Sequence, residues 1–382
     1  MVLNMFVKRG AKLLTTAGVC SFLLVSTVMS ALGASEWPIY RGNNSLTGVS
    51  DDVLPEKPVL LWSFKTEGQV KSSAVIGQNK VFIGSDDENI YALDFATGKK
   101  SWAVKTGGGV SSPPLLVGNT LVAGSEDGFV YALEAATGKE LWKFQTGDKL
   151  VGSANYFTNK EGRLSILAGS YDFKLYCLDL LSGKTSWVYE SSNFINGTPA
   201  LFENMTAFGG CDAVLHVVSV VNGTRIQQCN IGAPIAASAA LAGGKAYFGH
   251  YENEFVCVDL KQGKIDWKFH DRDLPYFSSP AVTTDRVLFG GNDKKLHCVN
   301  RADGKSVWEF ATKGKVDGSP VVARGKVVVG SGDGRVYMIS LKDGTQLWSY
   351  EIGRPISGSP AVAGGNIVIG SDDQSVYCFG KK

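Results

Sequence analysis

The sequence has little histidine, little proline and almost no excess of charge, and each shortage excludes a class of protein. Its four histidines form no His-x-x-x-His spacing and do not lie beside paired cysteines, so the pattern offers no metal site. Twelve prolines in 382 residues are too few for a collagen-like or disordered chain. The formal net charge of +2 provides no basic footprint for nucleic acid.

Long apolar runs are also missing, except near the N-terminus. Three basic residues precede that run: Lys8, Arg9 and Lys12. We expect residues 1–34 to be a signal peptide cleaved near Ala34, which predicts a periplasmic or secreted protein. An uncleaved membrane anchor is the alternative, because ~20 apolar residues can span a bilayer. No transmembrane span is expected in the mature chain.

Glycine, in contrast, is abundant and recurs at a fixed period. The chain has 46 glycines in 382 residues, well above the ~7% of an average protein. An "apolar, apolar, Gly" motif repeats every 40 or 41 residues, with one spacing of 45, at Gly84, Gly124, Gly169, Gly209, Gly249, Gly290, Gly330 and Gly370. Tryptophan marks the same period at Trp62, Trp102, Trp142, Trp187, Trp267, Trp308 and Trp348, and Gln227 takes the remaining place. Two independent markers therefore predict eight repeats.

Each repeat contains four short segments with strand character. In the second repeat they begin at Ser111, Thr120, Phe129 and Glu140, and turns rich in glycine or aspartate separate them. Four antiparallel strands in about 40 residues are typical of a propeller blade. We therefore predict an all-β, eight-bladed β-propeller over residues 60–382.

The two ends of the repeat region complement each other. The last repeat ends at Lys382 without a fourth strand, whereas the segment from Leu60 is a fourth strand without the three that should precede it. We predict that this N-terminal strand completes the last blade, because an open ring would leave a strand edge unpaired. Residues 35–59 form a lead-in segment, whose Trp37, Arg41 and Gly42 we expect to lie against the propeller as a strut.

The residues that recur in every repeat have a structural interpretation. We expect the tryptophans to pack against the neighbouring blade, with ligand binding as the alternative. Acidic residues recur in the second turn, at Asp87, Asp127, Asp172, Asp212, Glu252, Asp293, Asp333 and Asp373. We expect them to cap backbone N–H groups there, since aspartate is favoured in tight turns. A metal-binding ring is the alternative.

Most cysteines and two of the histidines also occupy repeated positions. Four cysteines share one third-strand position: Cys177, Cys257, Cys298 and Cys378. We expect them to be small buried apolar groups. Cys211 and Cys229 lie elsewhere, and the alignment puts a strand between them, so a disulfide is the less favoured alternative. His216 and His297 stand where other repeats have tyrosine.

Function is expected where the repeats differ. The loops that lead into the first strands share one position, which we call the mouth ring: Lys71, Ser111, Gly152, Asn196, Ala236, Phe277, Asp317 and Ser357. Its mixed chemistry predicts binding of a polar ligand or a peptide, and loop variation without a function is the alternative. The two longer loops carry candidate partner anchors at Phe194, Arg272 and Tyr276.

The repeats also carry a family resemblance. Copies such as GSDDENIYALDFATGKKSW from Gly84 and GSEDGFVYALEAATGKELW from Gly124 resemble pyrroloquinoline quinone-type propeller repeats, and the resemblance covers Leu60 to Lys382. Eight repeats behind a signal peptide are also similar to the BamB type of outer-membrane assembly scaffold. That resemblance implies a monomeric, non-catalytic propeller that binds protein partners in the cell envelope.

The chain departs from both relatives. BamB-type scaffolds are usually lipid-anchored, and Cys20 lacks the sequence pattern for lipid attachment. Quinoprotein dehydrogenases are longer and have an adjacent-cysteine pair, which is missing here. Asp317 is the only acid of the mouth ring, and one carboxylate is a poor acid–base constellation. A dehydrogenase that uses pyrroloquinoline quinone with calcium, and a small-ligand or glycan sensor, are therefore alternatives to the scaffold.

Overall fold

The structure is a computed structural model that describes residues 35–382. The predicted signal peptide lies outside the described residues. Within the described part, the regular secondary structure consists of thirty-three β-strands. That part of the chain has no helix long and apolar enough to cross a membrane.

The strands form eight sheets, which confirms the eight predicted blades. Blade 1 consists of β3 (Val75–Gly77), β4 (Lys80–Gly84), β5 (Asn89–Asp94) and β6 (Lys100–Lys105). Blade 2 consists of β7 (Leu115–Val117), β8 (Thr120–Gly124), β9 (Phe129–Glu134) and β10 (Glu140–Gln145). Blade 3 consists of β11 (Asn155–Thr158), β12 (Leu164–Gly169), β13 (Lys174–Asp179) and β14 (Thr185–Glu190). Blade 4 consists of β15 (Ala200–Phe202), β16 (Met205–Gly209), β17 (Val214–Ser219) and β18 (Arg225–Asn230).

The other four blades repeat this antiparallel order. Blade 5 consists of β19 (Ala240–Ala242), β20 (Lys245–Gly249), β21 (Phe255–Asp259) and β22 (Lys264–Phe269). Blade 6 consists of β23 (Ala281–Val282), β24 (Arg286–Gly290), β25 (Lys295–Asn300) and β26 (Ser306–Ala311). Blade 7 consists of β27 (Val321–Ala323), β28 (Lys326–Gly330), β29 (Arg335–Ser340) and β30 (Gln346–Glu351), and β1 (Val49–Ser50) pairs with β27 in parallel. Blade 8 consists of β31 (Ala361–Ala363), β32 (Asn366–Ser371), β33 (Ser375–Gly380) and β2 (Val59–Lys65).

The predicted closure of the ring is confirmed by the pairing of β2 with β33. The two strands run antiparallel, with Ser63 opposite Tyr377 and Lys65 opposite Ser375. The first strand of the propeller thus becomes the fourth strand of the last blade. This pairing covers the edge of β33 that would otherwise be unpaired.

Burial follows the order of the strands within each blade. The second and third strands are buried along most of their length, because both of their faces pack against neighbouring blades. The fourth strand alternates between exposed and half-buried positions, as β10 does. The apolar core is consequently distributed over the blade interfaces, and stability comes from contacts between neighbours.

The repeated tryptophans join adjacent blades, as predicted. Six of them donate an Nε1–H bond to a backbone carbonyl of the next blade: Trp62, Trp102, Trp142, Trp187, Trp267 and Trp308. Their rings lie on the glycine of the turn between its third and fourth strands. Trp348 differs, because the third and fourth strands of blade 8, β33 and β2, are not joined by a turn; its ring packs against Phe379 with the centroids 5.5 Å apart.

Six of the eight second-turn acids cap backbone N–H groups, as predicted, whereas Asp373 and Glu252 accept none from residues 35–382. Asp87 accepts hydrogen bonds from the backbone N–H of Asn89 at 3.1 Å and of Glu67 at 2.9 Å, and from the hydroxyl of Tyr91 at 2.8 Å. In blade 6, Nε2 of His297 bonds to Asp293 at 2.7 Å in place of the tyrosine hydroxyl. The aspartate therefore ties the turn to the loop that precedes its blade.

The cysteines behave as the sequence predicts. Six lie in residues 35–382 and all have free thiols, including Cys211 and Cys229. The four at the repeated third-strand position are fully buried, and burial raises the pKa of their thiols to about 12. These four thiols therefore act as apolar packing groups.

Candidate binding site at the channel mouth

The mouth ring is the rim of one cavity. All eight of its residues, including Lys71, Asn196, Phe277 and Asp317, line a cavity of about 190 Å³ at the centre of the propeller. Each residue stands just before the first strand of its blade, so eight equivalent loops bring them together. We call this space the mouth cavity and this end of the propeller the mouth face.

The three predicted partner anchors do not line the cavity. Phe194 stacks on Tyr171 beside it, with ring centroids 4.7 Å apart. Arg272 is exposed on its loop. Tyr276 is fully buried between blades, where its ring meets Phe289 at 5.2 Å. An apolar ring at a blade interface gains more from packing than from facing water, so the structure does not offer Tyr276 as a surface anchor.

A layer of hydroxyl groups lies below the mouth ring, and the sequence analysis missed it. In six successive blades a backbone N–H donates to the hydroxyl of the next blade, over distances of 2.8–3.0 Å. The accepting residues form what we call the hydroxyl ring: Thr198, Ser238, Ser279, Ser319, Ser359 and Ser73. The sequence signal was the Ser-Pro or Thr-Pro pair that opens several first strands.

The lead-in segment forms the floor of the cavity. The hydroxyl of Tyr40 lies 3.1 Å from the hydroxyl of Ser319 and 3.3 Å from that of Ser279. Arg41 is buried beneath the ring, and its guanidinium donates to the carbonyls of Ser319, Pro280 and Pro320. Burial lowers the pKa of Arg41 to about 10. The cavity therefore opens on one side only.

The lead-in segment does more than the predicted strut. It does lie against the propeller, since Trp37 forms a β-bridge to Ile76 of blade 1 and its ring covers Gly42. It then continues around the end of the channel, where its carbonyls accept bonds from the first strands of blades 2, 4, 5, 6 and 7. The end of the channel opposite the mouth is consequently covered by the chain's own segment.

Acidic side chains surround one half of the mouth. They belong to a second position of each repeat, two residues after the repeated glycine, which we call the second-turn ring: Asp86, Glu126, Tyr171, Cys211, Tyr251, Asn292, Gly332 and Asp372. Lys71 pairs with Asp86 at 2.6 Å, and Ser111 donates to Glu126 at 2.8 Å. The hydrogen bond to Asp86 raises the pKa of Lys71. Together the two rings hold four carboxylates and one ammonium group, a net charge of −3.

Aromatic side chains occupy the other half. Tyr251 and Phe277 pack with ring centroids 4.7 Å apart, and Tyr171 stacks on Phe194. The ammonium group of Lys149 lies 4.8 Å from the centre of the Tyr171 ring. This wall is thus suited to apolar groups and to cations.

Several oxygens at the mouth accept no hydrogen bond from the protein. Among the buried side-chain atoms of residues 35–382, Oδ1 of Asn196, Asn292, Asp317 and Asp372 have no donor. Burial raises the pKa of Asp372. Unpaired acceptors in a site of net negative charge favour a ligand that brings hydrogen-bond donors and positive charge.

The fold and the site define an eight-bladed propeller of the quinoprotein-like class whose channel opens at one end. A family profile described as outer membrane protein assembly factor BamB matches residues 58–269 and 271–378. The chain therefore belongs to the BamB family. No curated protein sequence matches it significantly.

Solved structures agree on the fold. BamB from Moraxella catarrhalis matches with a TM-score of 0.70 at 16% identity, covering 85% of this chain and 100% of that chain. Quinohemoprotein alcohol dehydrogenase from Comamonas testosteroni matches with a TM-score of 0.74 at 14% identity, covering 91% and 81%. The computationally designed Ika8 protein gives 0.74 at 16% identity, covering 84% and 99%. These identities support the shared fold alone.

Pyrroloquinoline quinone does not fit the residues at the mouth. It is a rigid fused-ring compound with three carboxylates, and the cavity of about 190 Å³ is below the ~300–1,000 Å³ typical of sites for drug-sized ligands. Lys71 is the single cation of the two rings and is already paired with Asp86. The four carboxylates would repel a trianion.

A calcium-type cluster is likewise not formed at the mouth. Within residues 35–382, the one group of three metal-ligating side chains is Asp271, His297 and Glu309, on blade 6 and its loop. The ammonium group of Lys295 bonds to Asp271 at 3.0 Å and to Glu309 at 2.7 Å. A lysine therefore already supplies positive charge to these two carboxylates.

Proposed function

We propose that the protein is a non-catalytic propeller scaffold of the cell envelope that binds a protein partner during outer-membrane protein assembly. The observation that carries the proposal is the BamB family match, which extends over nearly the whole propeller. The signal-peptide pattern of residues 1–34 supports a periplasmic or secreted location. The mouth supports a binding role, since it combines a cavity with unpaired acceptors.

The mouth face is the proposed partner surface. The lead-in segment closes the channel on the opposite face, whereas the mouth face has an open cavity with large exposed apolar side chains beside it, on blade 3, on blade 5 and on the loop that leads into blade 6. Phe173 is 40% exposed, Tyr251 49% and Leu274 40%. Exposed aromatic groups beside a charged rim have the composition of a protein-binding surface.

Capture from an envelope extract tests this proposal. The mature protein is immobilised and compared with a Phe173→Ser, Tyr251→Ser double variant, which we expect to retain at least tenfold less of the specific partner. Leu181→Ser, Val221→Ser is the matched control, because both residues are exposed apolar groups in the turns of the opposite face. Equal capture by all three proteins, or no specific partner for any of them, would contradict the proposal.

A small-ligand sensor remains the second candidate, favoured by the cavity and its unpaired oxygens. A thermal-shift screen of small polar compounds separates it from the scaffold. A compound that raises the melting temperature of the mature protein, but not that of an Asp317→Asn variant, would favour the sensor.

A further inference from the structure

One sector of the mouth ring has the features of a pocket for a single side chain. It runs from blade 4 to blade 7 and contains Asn196, Ala236, Phe277 and Asp317 in order around the channel. Ala236 lies between Asn196 and Phe277 in the ring and has the smallest side chain of the four. The sector therefore offers an apolar wall with an oxygen acceptor on either side.

The two acceptors of this sector are committed to no donor within the described chain. The Nδ2 group of Asn196 donates to the sulfur of Cys211 at 3.1 Å, so the amide oxygen Oδ1 is the atom of this side chain that has no partner within residues 35–382. Oδ2 of Asp317 pairs with the exposed Lys315 at 2.5 Å, while Oδ1 accepts nothing. A buried acceptor without a donor costs free energy that an incoming donor would recover.

The charge around the sector selects among possible donors. The mouth ring and the second-turn ring have a net charge of −3, which the neighbouring Lys315 and Lys149 reduce only in part. A neutral polyol would satisfy the acceptors but would gain nothing from this charge. A cationic side chain would donate to the acceptors and would also be attracted by the negative charge. Its stem can pack on Phe277 in the way that Lys149 lies on Tyr171.

We propose that the mouth cavity receives an arginine side chain from the partner protein, and this inference rests on the proposed function. The guanidinium donates to Oδ1 of Asp317 and Oδ1 of Asn196, and its stem packs against Phe277 beside the small Ala236. Arginine is preferred over lysine because its planar group offers five donors, which can reach two acceptors at once. Tyr40 closes the cavity below, so the occupant enters from the mouth face alone.

The test is a titration with short capped peptides. The mature protein is titrated calorimetrically with acetyl-Gly-Arg-Gly-amide at low salt, and with the citrulline peptide, which has nearly the same shape without the charge. We expect the arginine peptide to bind at least tenfold more tightly than the citrulline peptide. Because part of the attraction is screened by ions, raising the salt concentration from about 50 to 500 mM weakens binding severalfold.

Variants locate the site. Asp317→Asn and Phe277→Ala are each expected to weaken the arginine peptide about tenfold. Glu161→Gln is the control, because it removes an exposed carboxylate from a hairpin of the opposite face. Circular dichroism of each variant establishes that it is folded before it is titrated.

The outcomes separate this inference from the proposed function. Equal binding of the arginine and citrulline peptides, or binding unchanged by Asp317→Asn, overturns the arginine pocket. Calcium chloride alone that binds in an Asp317-dependent manner, while the arginine peptide does not, also overturns it. Partner capture that still depends on Phe173 and Tyr251 but not on Asp317 would leave the scaffold proposal standing without the pocket.

Discussion

Trp142 of blade 2 lies directly on Gly183 of the neighbouring blade 3, and its Nε1–H donates to the carbonyl of Leu180 at 2.9 Å. A β-carbon on Gly183 would come within 2.7 Å of the indole ring. The φ of Gly183 is +67°, a region that residues with a β-carbon rarely adopt. The tryptophan and the glycine of each repeat are therefore two halves of one contact between blades.

Gly183→Ala is expected to lower the free energy of unfolding by about 2–4 kcal/mol. The added methyl group meets the strained φ and also displaces the indole of Trp142, and the two costs add. Urea denaturation followed by tryptophan fluorescence measures the difference.

Gly162→Ala is the matched control for this prediction. Its φ is +74°, but a β-carbon there meets nothing within 4 Å. We expect it to cost only about 1 kcal/mol, the backbone part alone. Equal losses in the two variants would show that the tryptophan contact contributes little to the blade interface.

The sequence predicted the features that repeat. Glycine, tryptophan and aspartate recur because each blade packs against its neighbour in the same way. The role inferred for these residues in one repeat therefore applies to the other repeats. Aligning the copies also placed Asn196, Phe277 and Asp317 at equivalent positions of their loops, and the structure brings them to one cavity. The second-turn ring was equally accessible to the alignment, but only the next position of each turn, that of the aspartate caps, was interpreted.

The features that occur once could not be predicted in the same way. Tyr40 and Arg41 form the cavity floor through contacts with blades 6 and 7, more than 230 residues away along the chain. No periodicity marks such contacts. Tyr276 shows the opposite problem, because it lies in a long surface loop but its ring turns inward to fill a blade interface.

Arg41→Ala should destabilise the protein strongly. The change removes a buried guanidinium that bonds to three backbone carbonyls and leaves both a cavity and unpaired acceptors. We expect a loss of about 2–4 kcal/mol in the free energy of unfolding.

Arg272→Ala is the control for this loss, since Arg272 is exposed and should change stability by less than about 0.5 kcal/mol. Thermal unfolding of both variants provides the comparison. A melting temperature of Arg41→Ala close to that of the unmodified protein would mean that the lead-in segment is not needed to hold the propeller together.

Thiol reactivity should distinguish one cysteine of the folded mature chain. Burial raises the pKa of Cys177, Cys257, Cys298 and Cys378 to about 12 and also raises that of Cys229. Cys211 is only partly buried, in the second-turn ring. A disulfide reagent at pH 8 should therefore titrate one thiol quickly and the other five only after unfolding. Rapid reaction of two or more thiols in the native protein would contradict this burial.

Asp372 should contribute more to the stability of the folded protein at acid pH than at neutral pH. Burial raises the pKa of Asp372 in the folded state above its value in the unfolded chain, so the folded state holds this proton more tightly. The contribution of Asp372 to stability therefore rises as the pH falls through the raised pKa, and is unfavourable at neutral pH. Asp372→Asn keeps an oxygen that accepts from Ser357 and removes the charge. We expect this variant to unfold at a higher temperature than the unmodified protein at pH 7, with the difference disappearing near pH 3, where both side chains are neutral.

Asp86→Asn is the control: the carboxylate of Asp86 is paired with Lys71, so its removal should not raise the melting temperature at pH 7. If Asp372→Asn lowered the melting temperature at pH 7, the carboxylate would have a stabilising partner and would not be the unpaired acceptor on which the charge of the mouth is argued.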